Sequence, residues 1–78
     1  MNQAEDARIR VFRYLYGRRI EEPNTYFGRN DLAHLAEPKL LAAAISFGKE
    51  MGYLQAMRKH YRLTANGMLY VESLAGEE

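Results

Sequence analysis

Between Glu37 and Gly67 the chain changes its hydrophobic period twice, and no other stretch constrains the fold as tightly. It reads EPKLLAAAISFGKEMGYLQAMRKHYRLTANG. From Pro38 to Met51 apolar residues recur at helical spacing. Leu41, Ala44, Ile45, Gly48 and Met51 share one face, with Leu40 and Phe47 at its edge. Pro38 suits a first helical position, where its missing N–H had no partner, and Gly52 suits the left-handed residue that ends a helix. From Tyr53 to Leu63 the period drops to two, with a break at Arg58 and Lys59, which predicts a hairpin. The break holds neither Gly nor Asn, so the sequence leaves the turn type open. Thr64 then stands at a capping position before a helix from Ala65 to about Leu74, whose apolar face is Leu69, Tyr70, Val71 and Leu74.

The first third of the chain supplies two more helices. Residues 4–20 place Ile9, Phe12, Tyr16 and Ile20 on one face, widened by Val11 and Leu15, with Arg10, Arg13, Tyr14 and Arg18 on the other side. Glu5 and Asp6 lie in the first turn and Arg18 and Arg19 in the last, as the helix dipole favours. Gly17 weakens that last turn by roughly 1 kcal/mol relative to Ala. Residues 21–29 read as a loop around Pro23 and Gly28, with Tyr26 and Phe27 a very short strand that survives only by pairing with the hairpin. Residues 30–36 suit a short helix, capped by Asn30 with Asp31 in its first turn.

Seventy-eight residues make one small domain, with an ordered core of about 4–75. The apolar fraction of 47% is ordinary for a globular protein. There is no cysteine, so neither disulfides nor thiolate metal sites enter. No apolar run approaches the roughly 18 residues of a membrane span, and the N-terminal residues do not read as a secretory signal, so a cytoplasmic location with no membrane partner is expected. Net charge is only +1, but its distribution is uneven. All 11 basic residues lie between Arg8 and Arg62 with five acids among them, while Glu5, Asp6, Glu72, Glu77 and Glu78 make the ends acidic. A basic body suits a polyanionic partner.

The run Gly52-Tyr53-Leu54, a short hairpin, then Tyr61-Arg62-Leu63-Thr64-Ala65-Asn66-Gly67 resembles the winged helix-turn-helix superfamily. Its bacterial and archaeal regulators read Tyr-x-Leu-Thr-x-x-Gly where the wing gives way to the last helix, matched here by Tyr61, Leu63, Thr64 and Gly67. The order of elements agrees from Ala4 to Leu74. The resemblance implies an α+β fold, with a three-helix core, a small antiparallel hairpin wing and a C-terminal helix. It implies that 31–36 and 38–51 are the helix-turn-helix pair, that Tyr26-Phe27 is the first strand, and that Arg58, Lys59 and His60 are the wing tip. Gly48 stands where such proteins usually carry Leu, implying a close approach of another backbone or a weakened core.

That architecture sets helix 38–51 toward a major groove. Its outward face offers Lys39, Ser46 and Lys49 as polar contacts, and Ala42 and Ala43 as small residues able to meet thymine methyls, while Glu50 repels phosphate. Arg58, Lys59 and His60, with Arg62 behind them, form a cationic group suited to the phosphate backbone. Arg10, Arg13 and Arg18 read more simply as a solvated helix face. His34 and His60 lack a metal-ligand spacing, no nucleophile has a base at diagnostic spacing, and the run Gly48–Gly52 is no phosphate loop, so no catalytic, cofactor or metal site is expected. The expectation is a double-stranded DNA-binding regulator, not an enzyme, paired with a second copy through the first or last helix. The competing reading is a protein-interaction module on the same scaffold, favoured by Ala42, Ala43 and Glu50 and by the near-neutral charge.

Overall fold

The computed structural model describes residues 2–75; Glu77 and Glu78 of the acidic ends lie outside them. Four helices and three strands follow in the order α1 (Gln3–Glu21), β1 (Phe27–Gly28), α2 (Arg29–Leu32), α3 (Pro38–Met51), β2 (Leu54–Met57), β3 (His60–Leu63) and α4 (Ala65–Ala75). The strands form one antiparallel sheet in the order β1-β3-β2. The result is a compact α+β unit around a single core.

α1 begins where the Asn2 side chain accepts the Glu5 N–H at 2.7 Å, a cap that satisfies one of the helix's free donors. Its buried stripe is Ala7, Val11, Phe12 and Leu15. The expected stripe through Ile9, Tyr16 and Ile20 is thus displaced toward Ala7 and Val11. α1 packs against both α3 and α4, and the side caught between two helices buries most. Tyr16 instead reaches outward to donate to Glu72 Oε2 at 2.8 Å, and Ile20 is exposed. That bond to Glu72, reinforced by desolvation and by the carboxylate's charge, holds the Tyr16 phenol above its ordinary value of 10. The contact therefore persists below that range and is lost as pH rises and the phenolate forms. Gly17 lies on the exposed side, with open space where a Cβ would project. Gly17→Ala is expected to raise the melting temperature by about 4–8 °C, the gain of roughly 1 kcal/mol from helix propensity alone, as read by thermal circular dichroism.

The second helix is shorter and starts earlier than residues 30–36. It begins at Arg29 with Gly28 at the cap position, and Asp31 Oδ2 accepts the Gly28 N–H at 3.0 Å. Asn30 therefore sits inside the first turn. After Leu32 the chain tightens, with the Leu35 N–H on Leu32 O at 3.0 Å, and Glu37 is held extended ahead of Pro38. Likewise the first strand is Phe27–Gly28, one residue later than expected. Phe27 pairs with Tyr61 and Gly28 with His60, while Tyr26 stays outside as a ring under the Arg62 guanidinium.

α3 buries Leu41, Ala44, Ile45 and Gly48, but Met51 is exposed because the helix ends there. Gly52 has φ of 77°, and the N–H groups of Gly52 and Tyr53 return to the carbonyls of Lys49 and Gly48, closing the last turn. Gly48 does mark a close approach, though of side chains rather than backbone. A Cβ there would lie 2.6 Å from Leu54 Cγ and 2.9 Å from Phe12 Cζ. Phe12 forms the centre of an aromatic group with Phe47, Tyr53 and Tyr70, and the last two stack at 4.7 Å.

The hairpin closes in two residues, since Met57 pairs with His60. Arg58 and Lys59 both adopt positive φ, 50° and 66°, as a tight hairpin that matches the twist of its strands requires. At the other end Thr64 is a hub. Its N–H donates to Tyr53 O at 2.8 Å, its hydroxyl donates to Gly52 O at 2.6 Å, and its Oγ1 accepts the Gly67 N–H at 3.1 Å. The spacing Leu63-Thr64-x-x-Gly67 is thus a helix cap joined to a strand end. It needs glycine at its last position because a Cβ there would collide with the Tyr53 carbonyl and stand 2.7 Å from Leu63 Cδ1.

Candidate nucleic-acid interface

The basic side chains divide by what they touch. On α1, Arg8 lies 4.0 Å over the Phe47 ring, Arg10 donates to Leu35 O at 2.8 Å and Arg19 to Leu63 O at 3.0 Å. Arg18 pairs with Glu21 and Glu22, and Arg13 is also engaged. Arg62 donates to Pro23 O at 2.9 Å and to Gln55 Oε1 at 2.7 Å across the β2–β3 pair, so its guanidinium fastens the loop after α1 to the sheet. Among the described residues the side chains of Arg29, Lys39, Lys49, Arg58 and Lys59 make no ion pair or hydrogen bond, and all five are exposed. They sit on α2, on α3 and at the hairpin tip.

On α3 the outward face carries Lys39, Ala43, Ser46, Lys49 and Glu50, all exposed, with Ala42 half-buried at its margin. The structure keeps this set on one helix side, as its spacing requires. At the hairpin it brings Arg58, Lys59 and His60 to the tip. His60 Nδ1 lies 3.0 Å from Arg58 O; a carbonyl only accepts, so Nδ1 carries the proton. Arg62 stands apart from the tip and is tied into the fold.

Two depressions connect the tip to α3. One, of about 710 Å³, is an open groove lined by Gly28, Arg29, Asn30, Asp31, Lys59, His60 and Tyr61. The second, of about 160 Å³, is lined by Arg29, Asn30, Ala33, Ala36, Pro38 and Leu41. Arg29 and Asn30 border both, so α2 bridges the hairpin tip and the start of α3. The sequence reading missed both residues, since it places Arg29 in the loop 21–29 and gives Asn30 the cap of the following helix. No local signal marks them, since the helix start that takes in Arg29 is set by the Gly28–Asp31 contact.

Among the described residues no three His, Cys, Asp or Glu side chains gather to hold a metal ion, and no helix is long and apolar enough to cross a membrane. Comparison of the chain with protein-family models, with curated proteins and with solved structures finds no match.

Proposed function

We propose that this chain is a winged helix-turn-helix domain that binds double-stranded DNA, with α3 in the major groove and the β2–β3 tip on the phosphate backbone. The observation that carries the reading is the division of its cations. Those on α1, with Arg62, are engaged by the protein itself, whereas Arg29, Lys39, Lys49, Arg58 and Lys59 hold their charges outward on the three elements that this architecture presents to DNA. α3 offers few groups that read base edges, so affinity rests mainly on phosphate contacts, and sequence discrimination is modest.

The tip adds a second support. A left-handed backbone costs a non-glycine residue about 1 kcal/mol or more, and here two consecutive charged residues bear it. Replacing Arg58 by Asn and Lys59 by Gly installs the turn that such a hairpin prefers. The double variant is expected to be more stable by about 1–2 kcal/mol in urea titration. It is also expected to bind DNA more weakly, with the slope of log affinity against log salt reduced by roughly 2. Fluorescence titration with random-sequence duplex at two salt concentrations reads this. A wild-type protein that leaves duplex untouched at low salt would sink the proposal.

We further propose pairing with a second copy along α1 and α4, where Ile20 and Leu69 are exposed. Sedimentation that shows only monomer at high micromolar concentration excludes it. A protein partner in place of DNA is favoured by one observation, the exposure of Met51 and Met57 at the far end of α3 and beside the tip, since flexible methionines suit adaptable protein contacts.

A further inference from the structure

The groove between α2 and the hairpin tip has a composition of its own. Arg29 enters it from one wall and Lys59 and His60 from the other, because Gly28 pairs with His60 in the sheet. Among the described residues Asp31 is the one carboxylate in the lining, and one of its oxygens is already occupied by the Gly28 N–H at 3.0 Å. Two unpartnered cations against one tethered anion leave the groove positive. Asn30 adds a carboxamide beside Arg29. The floor is shaped by Gly28, where a Cβ would lie 3.1 Å from both Cδ2 and Nε2 of the His60 ring. Glycine thus seats the imidazole against the backbone and keeps the groove open.

Arginine offers a planar fork of donors and lysine a point charge, and both match phosphate oxygens. A volume of about 710 Å³ exceeds what a bare anion fills and leaves room for the sugar that carries it. We propose that this groove is a binding site for a sugar-borne phosphoryl group, held by Arg29 and Lys59 beside the His60 ring. Its ligand is a phosphate of the DNA backbone or a free nucleotide. The inference deepens the DNA reading and rests on it for the first of those sources only.

The test follows backbone amides by two-dimensional nitrogen–proton NMR as thymidine 5′-monophosphate, unphosphorylated thymidine or a short random duplex is added. The monophosphate is expected to shift the amides of 28–31 and 59–60 at millimolar concentration, while thymidine leaves them in place. Arg29→Gln, an exposed substitution, is expected to weaken the monophosphate response at least tenfold, and to lower the duplex salt slope by about 1. Gly28→Ala keeps every charge but displaces the imidazole into the groove, and is expected to weaken the response severalfold. If the monophosphate shifts the groove while the duplex does not bind, the site stands and the DNA reading falls. If the duplex binds with these amides unmoved and the monophosphate is silent, the DNA reading stands and the site is overturned. Equal shifts with thymidine would also overturn it.

Discussion

Gly67→Ala is expected to destabilise the protein by about 3 kcal/mol and to lower its melting temperature by roughly 10–20 °C. In a helix, alanine ordinarily improves on glycine by about 1 kcal/mol. Here the added methyl meets the Tyr53 carbonyl oxygen, which is backbone and already accepts the Thr64 N–H at 2.8 Å, and it stands 2.7 Å from Leu63 Cδ1 and 2.8 Å from Leu63 Cγ. Leu63 is fully buried and cannot swing away. Relief requires α4 to move off the sheet, which loosens the Thr64 cap and the strand end together. The contrast with Gly17→Ala is the useful control, because the same substitution in two helices of one protein should change stability in opposite directions. A Gly67→Ala variant that melts with the wild type would show that α4 does not depend on this contact.

Phe12→Ala carries an expected loss of about 3–5 kcal/mol, the usual range for emptying a buried phenyl site. Phe12 is fully buried, and its ring meets Phe47 at 6.2 Å, Tyr53 at 6.2 Å and Tyr70 at 5.8 Å between centroids. These three rings come from α3, the α3–β2 junction and α4, so a cavity at Phe12 removes support from all of them. A domain of this size holds only about 4–12 kcal/mol in total, so the variant should be substantially unfolded at 37 °C. Phe12→Leu keeps most of the volume and loses the edge-to-face contacts with Tyr53 and Tyr70, for an expected cost of about 1–2 kcal/mol. Urea unfolding of the pair checks the order. A leucine variant as unstable as the alanine one would place the energy in ring geometry rather than in filled volume.

The sequence was most legible where local chemistry and tertiary contact coincide. Gly52, Tyr53, Leu63, Thr64 and Gly67 could be read as helix stop, strand and cap because each role is settled within a few residues. The ends of elements were less legible. Asn30 has the chemistry of a cap, but the Asp31 carboxylate reached Gly28 first and moved the helix start by one residue. Ile20 and Met51 fit their helical stripes yet stand exposed, since a stripe continues past the point where the neighbouring helix stops covering it. The groove was beyond sequence reading altogether. It is made by the register that sets Gly28 against His60, a pairing across 32 positions that no local pattern encodes. The outward face of α3 was legible as a list of residues, but which cations the fold itself engages was not.

Arg10 and Arg19 donate to peptide carbonyls, of Leu35 and Leu63, rather than to carboxylates. They clamp the connection ahead of α3 and the end of β3 onto one helix, and these bonds join a charge to a dipole at contact distance, well inside the length over which salt screens. Two populations of the same kind of side chain should therefore respond to ionic strength in different ways. The melting temperature should stay nearly flat between low and high salt, while any association with a polyanion falls away steeply over the same range.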